Sequence, residues 1–193
     1  MSLTNVELMD LAKRMDIPLE PPVFKSQLKD MKLKYNRFYI INLEDEYDPD
    51  GTKNDGTHYT CFQVNKYKNG KVEGVYLDPY GVAPPTDIDE FVGFKIPHSK
   101  KQIQGSLNNA CGWFCLAFGH YINSYEGRSR DLHTDAMNFT DHFEDLTESN
   151  HHLKNEWVLK HFFRSKDPSK RTPIEVEGLG NISDANERTK IVL

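Results

Sequence analysis

Four side chains of the kinds used in nucleophilic catalysis occur in the order His58, Asp78, Gln104 and Cys111. A cysteine thiolate attacks a carbonyl carbon, an imidazole moves the proton, and a carboxylate orients the imidazole. An amide N–H then stabilises the oxyanion that forms on the attacked carbonyl. These residue types predict acyl-transfer chemistry, provided that the fold brings the four side chains together.

Cys111 stands where a polar loop turns into an apolar run that is typical of a buried helix. Asn108 and Asn109 precede it, and Trp113 and Phe114 follow it. At the start of a helix, unpaired N–H groups and the positive end of the helix dipole favour thiolate over thiol. An isolated cysteine is more often a small buried packing residue, so the interpretation of Cys111 as a nucleophile depends on its partners.

The other elements must bring His58 and Asp78 to this helix, and a hairpin is predicted to hold them. The runs 58–64 and 72–78 flank Asn69-Gly70, which is a strong hairpin signal. A two-residue turn would place the two side chains on opposite faces of the sheet. A three-residue loop with a bulge at Gly70 would place them on one face as diagonal neighbours. The chemistry requires the three-residue loop.

The rest of the pattern predicts one α+β domain over residues 1–164, followed by a mobile polar tail over 165–193. Thr4 and Glu7 form a capping-box pattern at the start of a helix that Pro18 ends. We expect further helical segments at 87–91, 111–125, 135–146 and 153–163, and strands at 38–43, 92–96 and 101–104.

Composition and charge argue against several classes of protein. The 193 residues, 37% hydrophobic and 27% charged, are enough to bury a core without disulfides or metals. A net charge of -5 does not favour strong binding to phosphate backbones, and no apolar run is long enough to span a bilayer. Three cysteines (Cys61, Cys111 and Cys115) indicate free thiols in a reducing, intracellular compartment. The acidic loop 44–57 breaks the EF-hand ligand order at Gly51, so we interpret it as a solvated loop.

Three segments resemble the adenovirus-type proteases, which share the order His, acid, Gln, Cys with SUMO-specific proteases. Residues 56–59, Gly-Thr-His-Tyr, resemble the strand that bears the base, although that family usually has Trp after the His. Residues 76–81, Tyr-Leu-Asp-Pro-Tyr-Gly, resemble its acid segment. Residues 104–115 are the most similar, and Gln104 stands seven residues before Cys111, as in adenovirus proteases.

The resemblance implies an α+β fold of the adenain/Ulp type, in which a central buried helix bearing the Cys packs on a mixed sheet bearing the His and Asp. It implies a cysteine endopeptidase with Cys111 as nucleophile, His58 as base, Asp78 as orienting acid and Gln104 in the oxyanion hole. Relatives in large DNA viruses, virophages and Maverick-type transposons cut capsid and core precursors. The expected substrates are therefore viral structural precursors, met in the host cytoplasm or viral factory, with the enzyme packaged in the virion.

The sequence gives less support for the activators that the adenovirus enzyme uses. That enzyme is activated by DNA and by a peptide that forms a disulfide with a cysteine upstream of the Gln, whereas this chain has no cysteine between Asp78 and Cys111. Because the chain is also acidic, we expect no required cofactor, weak DNA binding at most, and a monomer. We interpret Cys61 and Cys115 as packing residues.

Several alternatives stay open at this level. The same side chains would serve an isopeptidase of ubiquitin-like modifiers or an acetyltransferase, and a noncatalytic virion or scaffold protein could keep the fold and bind a peptide. Residues 176–180, Val-Glu-Gly-Leu-Gly, also resemble the family's cleavage pattern, which leaves autocleavage and chance similarity both open.

Overall fold

The computed structural model describes residues 3–106, 108–124, 131–147, 151–163, 174–176 and 180–182. The helices in these ranges are α1 (Asn5–Arg14), α2 (Thr86–Val92), α3 (Cys111–Asn123), α4 (Leu132–Thr140) and α5 (His152–His161), with a 3₁₀ helix at Lys25–Asp30. The strands are β1 (Val23–Phe24), β2 (Arg37–Asn42), β3 (Tyr59–Lys66), β4 (Val72–Leu77), β5 (Ile174–Val176) and β6 (Gly180–Ile182).

Strands β1 to β4 form a mixed sheet in chain order. Strand β1 runs parallel to β2, whereas β2, β3 and β4 are antiparallel neighbours. Strands β5 and β6 form a separate antiparallel pair inside the segment for which the sequence predicts a tail. The rest of 165–193 lies outside the described residues, and so do residues 177–179 of the cleavage-like motif. The boundary at 164 therefore stays a prediction.

The hairpin of β3 and β4 has the register that the chemistry requires. Cys61 lies opposite Leu77. The Tyr67 N–H donates to the Lys71 carbonyl at 2.9 Å, which leaves a three-residue loop of residues 68–70. The Gly70 N–H donates to the carbonyl of Tyr67 at 2.9 Å, and the φ of Gly70 is +83°. A positive φ at this glycine is what a type I turn with a bulge needs. The three-residue loop is confirmed.

Helices pack on both faces of the sheet. Because successive side chains of a strand point to opposite faces, each strand contributes side chains to both. The face toward α1, α3, α4 and α5 carries Phe38, Ile40, Cys61, Val75 and Leu77. The opposite face, toward the 3₁₀ helix and α2, carries Tyr39, Ile41, Phe62, Val64 and Tyr76. The strands are therefore apolar on both sides, and the α+β architecture predicted from the sequence is confirmed.

Helix α3 is the buried centre of the fold, as predicted. Ten of its 13 residues are buried. A Cβ added at Gly119 would lie 2.7 Å from the ring of Phe38, which is itself fully buried. The missing side chain at Gly119 thus allows α3 to pack closely against β2. This close approach fixes the height of the cysteine-bearing helix above the sheet.

Several predicted elements are wrong in type or extent. Residues 92–96 and 101–104 form no strand, because Gly93 ends α2 in a left-handed conformation and the later backbone bonds singly rather than in a ladder. The Ile103 and Gln104 N–H groups, for example, both donate to the carbonyl of Pro79. Helix α4 begins three residues before the predicted start because the Asp131 side chain caps it, and it ends at Thr140, short of the predicted end.

Candidate active site

Asp78 sits in a tight turn directly after β4. Its backbone carbonyl accepts from the Gly81 N–H at 2.8 Å, which closes the turn, and Pro79 supplies the preset φ of the second position. The Asp78 side chain accepts from the Tyr80 N–H at 2.8 Å and is 1% exposed. The turn sequence Asp-Pro-Tyr-Gly therefore both ends the strand and holds the carboxylate in place.

His58 immediately precedes β3 and lies beside Asp78. Its Nε2 is 2.8 Å from the Asp78 Oδ1, and its ring stacks on Tyr80 with the ring centroids 4.6 Å apart. The carboxylate can only accept, so Nε2 carries a proton. These two contacts fix the plane of the imidazole and leave Nδ1 as the nitrogen that serves the thiol of Cys111.

Cys111 is the first residue of α3, as the sequence predicts. The preceding residue, Ala110, provides no side-chain cap, so the N–H groups of the first turn are left for other acceptors. Burial raises the pKa of the Cys111 thiol, but hydrogen bonds from His58 and from the Tyr59 and Gly112 N–H groups outweigh it and hold the pKa below its usual value. The thiolate is thus favoured at this helix end.

The pKa of the His58 imidazole shifts in the opposite direction. Burial lowers the pKa of His58, but the hydrogen bonds and charges of Asp78 and Cys111 outweigh it and raise the pKa to about 9. A raised imidazole pKa beside a lowered thiol pKa favours a thiolate–imidazolium pair at neutral pH. The structure therefore joins three of the four predicted site residues into one hydrogen-bonded chain.

Gln104 reaches this group through Tyr80 and the loop before Cys111. Its side chain is 1% exposed, and its Nε2 donates to the Asn108 carbonyl at 2.8 Å and to the Tyr80 hydroxyl at 3.3 Å. The Asn108 carbonyl only accepts, which fixes the amide orientation. Both N–H groups of Gln104 are thus in use, and the bond to Tyr80 is the longer one. A substrate oxyanion would have to replace it.

Helix α5 supports the Gln104 loop with side chains that the sequence motifs do not include. Asn155, 1% exposed, donates to the carbonyls of Ile103 at 3.0 Å and Glu144 at 2.8 Å and accepts from the Glu144 N–H at 2.7 Å. Glu156 accepts from the Asn108 side chain at 2.7 Å. The bonds from Asn155 to Ile103 and from Asn108 to Glu156 join residues about 50 positions apart in the chain, so no local pattern could have revealed them.

The remaining cysteines lie next to the site but inside the core. Cys61 and Cys115 are both fully buried, and their thiols lie 3.8 Å from the Leu77 carbonyl and 3.6 Å from the Tyr59 carbonyl. Burial raises the pKa of the Cys115 thiol. A buried thiol of raised pKa is a poor nucleophile, which separates Cys115 from Cys111 one turn earlier.

Within the described ranges, no group of three or more His, Cys, Asp or Glu side chains is placed to hold a metal ion. No helix in the same ranges is long and apolar enough to cross a membrane.

Comparisons with known proteins assign no family to the chain. No protein-family model matches it, and no curated protein matches it. Among solved structures, the crystal structure of HopZ1a in complex with IP6 matches with a TM-score of 0.38 and 11% sequence identity. The match covers 82% of this chain and 51% of HopZ1a, so the chain spans about half the length of that protein. A likeness of this degree gives no information about activity.

Proposed function

We propose that this chain is a cysteine endopeptidase in which Cys111 is the nucleophile, His58 the general acid and base, and Asp78 the group that orients the imidazole. The observation that carries the proposal is the position of the His58 ring, held by the Asp78 carboxylate at 2.8 Å on one nitrogen and paired with the Cys111 thiol. Such a pair supplies a thiolate at neutral pH without an external base.

In the proposed reaction, the Cys111 sulfur attacks the scissile carbonyl and the electron pair of the C=O bond moves to oxygen. The tetrahedral intermediate collapses as the His58 imidazolium gives its Nδ1 proton to the leaving amine. The amine departs, and a thioester with Cys111 remains. A water molecule, deprotonated by His58, then attacks the thioester and releases the carboxylate product and the thiolate. Asp78 keeps the imidazole in the tautomer and orientation that both steps need.

Gln104 is proposed as a side-chain donor to the oxyanion. Its N–H now bound to the Tyr80 hydroxyl at 3.3 Å would exchange that long bond for the developing charge. The hydrogen bond from the same amide to the Asn108 carbonyl would stay and would hold the side chain in place. The N–H groups of the first turn of α3 supply the second donor.

The proposed substrates are viral structural precursor polypeptides, cut at Gly-containing sites during virion maturation. This part of the proposal rests on the resemblance of residues 56–59, 76–81 and 104–115 to adenovirus-type proteases. We propose that turnover needs neither DNA nor an activating peptide.

A proteome-derived peptide library tests the reaction class. We expect the wild-type protein to cut peptide bonds, and Cys111→Ala to cut none while unfolding at an unchanged temperature. Cys115→Ala is the matched control, since it removes a thiol one turn away, and we expect it to keep activity. Sequencing of the new N-termini identifies the cuts. Cleavage that survives Cys111→Ala would overturn the proposal.

Two further reagents separate the rival activities. Ubiquitin-like modifiers with an electrophile after their terminal Gly-Gly trap isopeptidases, and labelled acetyl-CoA acylates an acetyltransferase. Capture of Cys111 by either reagent, with no peptide bond cut in the library, would assign the site to that rival activity. Failure of iodoacetamide to label Cys111 selectively at neutral pH would instead favour a noncatalytic protein.

A further inference from the structure

A cavity of about 370 Å³ opens beside the N-terminus of α3. One wall is the loop that leads into Cys111 together with Trp113. The other wall is one face of α5 and its extension, formed by Glu156, Leu159, Lys160 and Phe163. Side chains at this spacing lie on the same side of a helix. The cavity is thus a cleft between the nucleophile-bearing helix and α5.

The walls of the cleft are mainly apolar. Trp113 and Phe163 meet edge to face with their ring centroids 4.9 Å apart, and both side chains are half-buried. Ala110 and Leu159 complete the apolar surface. A concave apolar surface with a few polar groups at its edge is typical of a binding site rather than of a packing defect.

The cleft lies within reach of the bond that Cys111 would attack. Ala110 directly precedes Cys111, and Trp113 stands in the same helical turn. An extended peptide advances about 3.3–3.6 Å per residue. Two residues of a substrate therefore extend about 7 Å from a carbonyl that lies over the sulfur, and the cleft begins at Ala110, the residue directly before Cys111.

The rim of the cleft carries two charged side chains that differ in their hydrogen bonding and exposure. The Glu156 carboxylate accepts a hydrogen bond from the Asn108 side chain at 2.7 Å, so it is already engaged. Lys160 is exposed and makes no ion pair with any residue that the structure describes. The neutral Asn108 amide leaves the negative charge of Glu156 in place, so the rim carries one charge of each sign. Because Glu156 is half-buried and Lys160 is exposed, an acidic neighbour beside an apolar anchor is favoured on the Lys160 side of the rim.

We propose that this cleft is a substrate subsite that takes a bulky apolar side chain within two residues of the scissile bond, and that Lys160 selects an acidic residue next to it. The inference rests on the proposed endopeptidase function and adds a specificity that the catalytic residues do not set. Trp113 and Phe163 bind the apolar side chain, and Lys160 acts at the rim.

The library of peptides tests the subsite with three variants. We expect wild-type cuts to be enriched in Leu, Phe or Met at one position within two residues of the bond. Phe163→Ser should lower kcat/KM for such a peptide about tenfold relative to its Ala counterpart. Lys160→Glu should lower cleavage of peptides with the acidic neighbour about twofold to fivefold. Lys95→Glu, an equal charge reversal at an exposed site away from the cleft, should change neither preference.

A binding measurement keeps the subsite and the reaction separate. Cys111→Ala protein is applied to an array of immobilised heptapeptides, with and without Phe163→Ser, and Phe163→Leu replaces Phe163→Ser if thermal unfolding shows that the latter is not folded. If no peptide in the library is cut but the array captures peptides with an apolar and an acidic residue, and capture depends on Phe163, the endopeptidase proposal would be overturned and the subsite proposal would stand. Cysteine-dependent cuts without an apolar preference would overturn the subsite and keep the peptidase. If there were neither cysteine-dependent cuts nor Phe163-dependent capture, the endopeptidase and the subsite proposals would both be overturned.

Discussion

At the scale of single residues, the site is a chain of hydrogen bonds with one rigid end. The Asp78 carboxylate is held by its own turn through the Tyr80 N–H, so it presents a fixed acceptor to the His58 Nε2. Stacking on the Tyr80 ring removes the remaining freedom of the imidazole. The thiol of Cys111 therefore faces an imidazole of defined position, and the proton that the two groups share lies on the imidazole, because the pKa of His58 is raised and that of Cys111 is lowered.

Activity should show a plateau that ends on the alkaline side near pH 9. The His58 pKa is raised to about 9, so the imidazolium that we propose as the donor to the leaving amine is lost as the pH rises through that value. The Cys111 pKa is lowered, so the thiolate persists until the pH falls below the usual range of a thiol. The pH dependence of kcat/KM and of the alkylation rate of Cys111 by iodoacetamide checks both limits.

Asp78→Asn is the matched variant for this profile. It is close in shape, but it removes the negative charge that raises the His58 pKa and replaces a charge-assisted hydrogen bond by a weaker, neutral one. We expect its alkaline limit to move to lower pH and kcat to fall, by less than in His58→Ala. An unchanged alkaline limit would contradict the assignment of that limit to His58.

At the scale of elements, the part of the loop that carries Ile103 and Gln104 is held from two sides. The Pro79 carbonyl accepts from the Ile103 and Gln104 N–H groups at 2.9 and 3.0 Å, which ties the loop to the turn that holds Asp78. On the other side, Asn155 of α5 donates to the Ile103 carbonyl. The acid turn and α5 thus set the position of Gln104 relative to α3.

Asn155→Ala should loosen this loop. It leaves the carbonyls of Ile103 and Glu144 and the Glu144 N–H without their buried partner, which we expect to cost about 1–3 kcal/mol in the free energy of unfolding. If the loop positions Gln104 for the oxyanion, kcat falls and KM changes little. Denaturant unfolding and steady-state kinetics measure the two effects.

Asn138→Ala provides the control, because Asn138 is exposed on α4 and the change should affect neither quantity. If Asn155→Ala lost stability but kept its kcat at a temperature where it is folded, α5 would support the fold without positioning the catalytic loop.

At the scale of the whole molecule, the site depends on how closely α3 lies against the sheet. The sheet is covered on both faces, so β2 and β3 cannot shift away from α3 without opening a gap in the core on that face and overpacking the core on the other. Gly119 allows the close contact with Phe38 two turns after Cys111. The sulfur and the imidazole come from the two layers that meet at this contact.

The two glycines of α3 should therefore respond differently to alanine. A Cβ at Gly119 would lie 2.7 Å from the buried ring of Phe38, so Gly119→Ala should destabilise the protein by about 1–3 kcal/mol. A Cβ at Gly112 would meet Leu3 and Leu8 at ordinary contact distances of 3.4–3.5 Å, so Gly112→Ala should be neutral or stabilising by about 0.5–1 kcal/mol. Thermal unfolding measures both, and equal losses would contradict the close approach at Gly119.

The sequence predicted well wherever a short range of residues carries the signal. The capping box of Thr4 and Glu7 forms as predicted, and the buried helix begins at Cys111. The strands predicted at 92–96 and 101–104 were wrong because those backbone groups bond to distant partners, such as Pro79, which a local pattern does not contain. The hairpin register was open for a different reason, since Asn69-Gly70 fits both a two-residue and a three-residue loop; the pairing of Cys61 with Leu77 and the positive φ of Gly70 distinguish them.

The sequence by itself determined which atoms are available for chemistry, namely the thiol, imidazole, carboxylate and amide of Cys111, His58, Asp78 and Gln104, and it placed the thiol at a helix start. Only the tertiary structure decided that the imidazole lies between carboxylate and thiol, that both N–H groups of Gln104 are engaged, and that α5 supports the loop. The physical reason is that residue type and local pattern follow from neighbours in the chain, whereas distances between side chains follow from how the helices and the sheet pack.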